Sequence, residues 1–201
     1  MFSSEQSNSL DESTDADLEL VVRLQSGDDR AFDQLMDRYK LPIVNFIYRI
    51  LNDAGDADDA AQEVFVRVYH HIGRFKADGR RRFSTWLFQI ARNQAIDVLR
   101  KRRRRPLVLH TVNEEHVEEP ISPERSADEA AQLGEMGAIV AQAVANLPEK
   151  QKTVLILSEY HDLSHAEIAS IMKCSIKSVE SRLGRARSTL RHELAEFASG
   201  R

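Results

Sequence analysis

The stretch "RRRFSTWLFQIARNQAIDVLRKRRRR", residues 80–105, sets aromatic rings among arginines and ends on six consecutive basic side chains. Those residue types do not point to bond-breaking chemistry. A polycation beside rings is what capture of unpaired nucleic acid requires: charge holds the backbone, and rings stack on bases at about 1–3 kcal/mol each. At 3.6 residues per turn, Arg92, Asn93, Asp97, Arg100 and Lys101 fall on a polar face, with Leu87, Ile90, Ala91, Val98 and Leu99 opposite. Phe83, Trp86 and Phe88 fit a core better than a stacking platform, and Arg102 to Arg105 read as phosphate contacts or as a solvated run.

A second pattern lies near the C-terminus, in "LSHAEIASIMKCSIKSVESRLGRARSTLR". Ser164 caps a short helix carrying Ile168, Ala169 and Ile171, "KCS" makes a tight turn, and a longer helix follows with Val179, Leu183, Ala186 and Leu190 inward. This is the spacing of a helix-turn-helix, whose second helix enters the major groove. Ser178, Glu180, Ser181 and Arg185 are placed for base edges, with Lys177, Arg182 and Arg187 nearer phosphates. Two readings of Glu180 stay open, an acceptor for a cytosine amino group and a solvated charge.

These two regions explain an uneven charge distribution. The net charge of −4 over 201 residues resolves into −7 for residues 1–29, −2 for 30–73, +10 for 74–105, −7 for 106–136 and +2 for 137–201. A strongly positive block beside acidic ones marks a polyanion site with acidic flanks.

The elements that must position these residues are helices, and no segment has a convincing strand period. The expected fold is all-α: two small helical domains joined by a flexible acidic linker, the second containing the helix-turn-helix. A stripe from Phe32 to Ile50 predicts a helix over 29–51, kinked or reset at Pro42. Asp56 is the expected cap of a helix over 57–72, and Ser84 of one over 85–103. Residues 1–17 read as a disordered acidic extension and 18–105 as the first domain. Residues 106–136 hold three of the five prolines and form the linker, and 137–197 form the second domain.

The ordered set "AFDQLMDRYKLPIVNFIYRIL", "DADDAAQEVFVRVYHHIGRF", "FSTWLFQIARNQAIDVLRKRRRR", "LPEKQKTVLILSEYHDLSHAEIASIM" and "CSIKSVESRLGRARSTL" resembles the extracytoplasmic-function (ECF) sigma factors of bacterial RNA polymerase. The resemblance implies that the first domain binds the promoter −10 element and core polymerase, and the second the −35 element. It places Asp59, Gln62, Glu63 and Arg67 against a coiled coil of the β′ subunit, and Asn93 against a flipped-out base. It passes the acidic linker through the polymerase toward the RNA exit path, makes core RNA polymerase (β′ and β subunits) a partner, and implies an anti-sigma factor as a further one. Glu180 and Gly184 depart from the family pattern, which often has a basic and a bulky residue there, so a different −35 sequence is expected.

Other chemistries find little support. The single Cys174 excludes a thiolate zinc cluster and an internal disulfide, and it reads as a small turn residue or, less simply, a redox sensor. His161 and His165, four apart, span a short loop unsuited to fixed metal geometry. No cofactor, no catalytic residue and no membrane insertion are expected, and the N-terminus lacks the features of a secretion signal, so the expected location is the cytoplasm. The alternative is a helix-turn-helix regulator that never joins polymerase. Exchanging Arg102 to Arg105 for Gln is expected to lower the log–log salt slope of DNA binding by about 0.9 for each duplex phosphate that is no longer neutralised.

Overall fold

Helix starts and stops follow from which side chains take over the orphan backbone groups at each end. The computed structural model describes residues 16–77, 81–104 and 137–198. In it α1 spans residues 16–25, α2 Asp29–Leu51, α3 Ala54–His71, α4 Phe83–Arg104, α5 residues 137–146, α6 Glu149–Glu159, α7 His165–Met172 and α8 Ile176–Ala198, with a 3-10 turn at Ile72–Arg74 after α3. No strand occurs among the described residues. The extension before residue 16, Arg105 and the linker 106–136 lie outside them.

Several boundaries differ from the sequence expectation, each for a local reason. The cap of α3 is Asp53, whose carboxylate accepts from the Asp56 backbone N–H at 2.9 Å, so Asp56 belongs to the first turn. Helix α4 starts at Phe83, ahead of Ser84, because Phe83 is itself buried and anchors the first turn. Helix α2 runs through Pro42. Proline costs about 3 kcal/mol inside a helix, but Leu35, Tyr39, Ile43 and Phe46 are buried on both sides of it. Each such side chain contributes roughly 1.5–3 kcal/mol, enough to carry the helix across. Ser164 behaves as expected, in a capping box with Glu167, and Lys173 turns the corner after α7 at φ 50°.

Helix α1 is the element the sequence reading missed, and its first two residues lie within the segment assigned to the extension. Asp17 is only 3% exposed and accepts hydrogen bonds from the Tyr39 hydroxyl and the Arg38 guanidinium. A buried carboxylate persists only when paired in this way. Burial first, and the Asp17 charge second, push the Tyr39 phenol far above its ordinary value. At its other end α1 is tied down by Gln25, which donates to the Ile72 and Phe75 carbonyls at 2.8 and 2.7 Å.

The first domain packs α2, α3 and α4 around Phe46, Ile43, Ile47, Val64, Phe83 and Leu87, all essentially inaccessible. Its rings meet edge-on or tilted: Tyr39 with Phe83 at 5.6 Å, Phe46 with Phe88 at 5.3 Å, Phe75 with Trp86 at 5.3 Å. Phe83 and Phe88 are therefore core residues, and Trp86 is partly buried against them. In the second domain Val154, Ile156 and Leu157 of α6 pack with Ile168 and Ile171 of α7 and Val179, Leu183 and Ala186 of α8. The two domains touch, α4 against α7 and α2 against α6, so their cores form one continuous cluster.

One member of the basic run has a structural role. Arg102 donates to Asp56 at 2.6 Å and to the Leu51 carbonyl at 3.1 Å, and pairs with Asp53 at 3.2 Å. It thereby neutralises the carbonyl end of α2 and the acidic start of α3 at once. Arg102 leaves the set of expected phosphate contacts for this reason. Arg102→Gln should lower unfolding free energy by about 1–2 kcal/mol, allowing for partial exposure, against less than about 0.5 kcal/mol for Arg103→Gln; urea midpoints of the two variants check this.

Candidate nucleic-acid interface

Helix α8 leaves one polar face open. Its buried stripe, Val179, Leu183 and Ala186, faces α6 and α7 and fixes which side chains remain outside. Ser175 caps it, its hydroxyl accepting from the Ser178 N–H at 3.2 Å. Lys177, Glu180, Ser181, Arg185 and Arg187 are exposed, and Ser178 and Arg182 are half-buried. Ile176, 47% exposed at the first position of the helix, joins this surface, where it can meet a thymine methyl group. Sequence reasoning passed over it, since Ile176 lies outside the inward set Val179, Leu183, Ala186 and Leu190 and carries no polar group.

The structure also separates these side chains by partner. Arg187 is held by Glu159 of α6 at 2.6 Å, and Arg182 directs Nη1 at the Cys174 sulfur at 3.3 Å. Glu180 lies 3.8 Å from the His165 Nδ1, an ion pair only when that imidazole is protonated. Lys177 and Arg185 project into solvent. Cys174 is half-buried against the core, as a small turn residue would be.

On α4 the buried residues Leu87, Phe88, Ala91, Gln94 and Ala95 face α2 and α3. Asn93, Arg100 and Lys101 are exposed on the far side, while Arg92 and Asp97 are half-buried. Arg92 Nη1 donates to the Asn93 side-chain oxygen at 3.3 Å, which orients the amide, and Arg100 stands 3.5 Å from Asp97. The five side chains share the polar side of the helix, whereas of the expected apolar stripe Leu87 and Ala91 are buried and Ile90, Val98 and Leu99 only half-buried, with Gln94, Ala95 and Ile96 buried beside them.

A third surface runs along α3. Asp59 and Gln62 are exposed, and Glu63 and Arg67 form an ion pair at 2.9 Å. Between them Val66 and Tyr69 are 50% and 44% exposed, so the patch has an apolar centre that the sequence reading omitted. The available signal was their register, off the Ala61, Val64, Phe65, Val68 stripe.

Where the domains meet, the loop after α6 inserts His161 between rings, 4.6 Å from Phe88 and 5.8 Å from Phe46. Arg49 of α2 lies over the Tyr160 ring at 3.8 Å. Arg92 reaches Glu149 of α6 at 3.8 Å, and Arg82 reaches Glu167 of α7 at 3.2 Å. Burial, with Arg49 a lesser cause, lowers the His161 imidazole to about 4. His161 and His165 point to different neighbours, Phe88 and Glu180, and no group of three or more potential metal ligands occurs among the described residues. No helix there is long and apolar enough to cross a membrane.

Comparison with known proteins matches residues 35–105 to Sigma-70 region 2 and residues 138–190 to Sigma-70, region 4. The RNA polymerase sigma-H factor of Pseudomonas aeruginosa is 40% identical over 87% of this chain and 91% of its own length. The ECF RNA polymerase sigma factor SigW of Bacillus subtilis is 33% identical over 88% and 96%. Among solved structures, CnrH in complex with the cytosolic domain of CnrY superposes with a TM-score of 0.68 at 29% identity, covering 90% of this chain and 97% of that one.

Gly184 lies exposed on α8, and a Cβ built there meets nothing within 4 Å. Gly184→Ala is therefore expected to stabilise the chain by about 1 kcal/mol without loss of duplex binding, measured by thermal unfolding beside a −35 duplex titration.

Proposed function

Because the chain belongs to the sigma-70 family, in its extracytoplasmic-function branch, we propose that three surfaces share the work of promoter opening. Helix α3 docks on core RNA polymerase, α8 reads the −35 duplex and α4 captures unpaired −10 bases. The family assignment makes the protein an alternative sigma factor that directs RNA polymerase to promoters. The residue roles are our reading, and the observation that carries them is the polar face of α4, with Asn93 exposed and oriented by Arg92 while the rings that could have stacked are committed to the core.

The mechanism follows from these positions. Asp59, Gln62, Glu63 and Arg67, around Val66 and Tyr69, supply a polar rim and an apolar centre, the composition of a protein-docking patch. Once core polymerase fixes the spacing of the two domains, two weak DNA contacts act as one strong one through effective concentration. Lys177, Arg182 and Arg187 hold phosphates, while Ser178, Glu180, Ser181 and Arg185 face base edges. Arg100 and Lys101 hold the −10 backbone, Asp97 orients Arg100, and Asn93 receives a base drawn from the stack. Capture of unpaired bases shifts the duplex toward the open form without a nucleotide cofactor. CnrH binds the cytosolic domain of another protein, and we infer that this chain likewise meets an anti-sigma partner that controls its access to polymerase.

Asn93→Ala should lower open-complex formation roughly 5- to 100-fold, the range set by removal of one base contact, while core affinity stays within about twofold. Permanganate footprinting and a core-binding titration measure the two quantities, and an equal fall in both would refute the assignment of Asn93. Asp59→Arg should do the converse, weakening core affinity while leaving binding of a single-stranded −10 oligonucleotide to the free chain intact.

A further inference from the structure

Gln25 is exposed at the end of α1, yet its side chain makes two bonds to residues 47 and 50 positions away. Its Nε2 donates to the Ile72 carbonyl at 2.8 Å and to the Phe75 carbonyl at 2.7 Å. An exposed side chain adds little to the core, so these bonds act on what they hold, the turn that leaves α3 and starts the connection to α4.

The same connection is tied at its other end. Phe75 meets Phe83 at 6.0 Å and Trp86 at 5.3 Å, which sets the departure from α3 against the first turn of α4. Arg81, just before α4, donates through Nη2 to the Gln89 side-chain oxygen. Gln89 stands one turn before Asn93 on the same side of the helix. A cation is thus delivered beside Asn93 by a segment whose start is fixed from α1.

Arg81 differs from its neighbours in what answers its charge. Arg82, Arg92, Arg100 and Arg102 each pair with a carboxylate. Among the described residues none pairs with Arg81; Glu167, on the wall of the cavity that Arg81 borders, is engaged by Arg82. Its Nε is buried without a hydrogen-bond partner in the protein, and burial lowers its guanidinium from the ordinary value. A guanidinium has more donors than the one spent on Gln89. A half-buried cation without a counter-charge is completed by an anion from outside.

We propose that Arg81 is a phosphate contact of the −10 strand beside Asn93, and that Gln25 is its positioning residue, fixing the α3–α4 connection from α1. This inference rests on the −10 reading of α4. Without the Gln25 donors the two carbonyls turn to water and the turn loosens, so Arg81 spends less time aligned with Asn93.

The test titrates the full free chain with a fluorescent single-stranded −10 oligonucleotide over a range of salt concentrations. Arg81→Gln should weaken binding about 3- to 30-fold, as loss of one charge-assisted bond at a partly exposed site does. It should also lower the log–log salt slope by about 0.7, the value for one phosphate on a single strand. Gln25→Met, neutral and of similar length but without donors, should lower affinity and slope in the same direction, while core affinity stays within about twofold. The Phe75 amide, which donates to the Ile72 carbonyl at 3.0 Å, should exchange with solvent faster in that variant. In a chain already carrying Arg81→Gln, Gln25→Met should cost no further affinity. A Gln25→Met chain with wild-type affinity and slope, or one whose loss multiplies in full with that of Arg81→Gln, overturns the positioning role. An unchanged slope in Arg81→Gln overturns the phosphate contact. Asn93→Ala in the same titration tests the reading beneath: unchanged affinity there, beside losses at Arg81 and Gln25, supports the contact and its positioning and refutes instead the assignment of Asn93.

Discussion

The architecture depends on how α4 is clamped, with its apolar residues held by α2 and α3 and a second flank against α7. Phe83, Leu87, Phe88, Ala91 and Ala95 recur at helical spacing and bury against α2 and α3, with Phe83 and Phe88 meeting Tyr39 and Phe46 edge-on. A helix fixed on one stripe has no freedom to rotate, so the opposite stripe must present Asn93, Arg100 and Lys101 outward. Aromatic burial and cationic display are thus one constraint seen from two sides. The smallness of Ala91 and Ala95 brings the backbones of the neighbouring helices close, which sets the position of the outward residues.

Positive charge along this helix and just before it is divided among three roles. Arg102 serves the fold, closing the α2–α3 corner. Arg82 and Arg92 serve the contact with the second domain. Arg100 and Lys101 remain toward solvent. Formal charge alone cannot make this division, because it depends on which acceptor each long side chain can reach.

Much of this was legible in the sequence. The helical class, the helix-turn-helix with its Ser164 cap and the inward set Val179, Leu183 and Ala186 follow from period and capping rules alone. What was not legible has a physical reason in each case. Helix α1 is short and flanked by acidic residues, and it is held by long-range bonds, Asp17 to Tyr39 and Gln25 to the Ile72 and Phe75 carbonyls, that no local pattern encodes. Pro42 sits inside a helix because packing on both sides outweighs a local penalty. Asp53 and Asp56 are equally good caps on composition, and only the turn at Asn52, with φ 52°, decides between them. Of the site, the faces of α3, α4 and α8 were legible, whereas Val66, Tyr69 and Ile176 were not, since exposure of an apolar side chain is a property of the assembled surface. The domain contact through His161 involves two elements far apart in sequence and had no signature at all.

The pairing of Glu149 and Glu167 with arginines of the first domain has a consequence for a protein that shares its cell with a chromosome. Every stretch of genomic DNA is a weak competitor for exposed arginines, and such decoys outnumber true sites by about a millionfold or more. Glu167 and Glu149 answer Arg82 and Arg92 within the chain, which leaves two fewer arginines open to that competition.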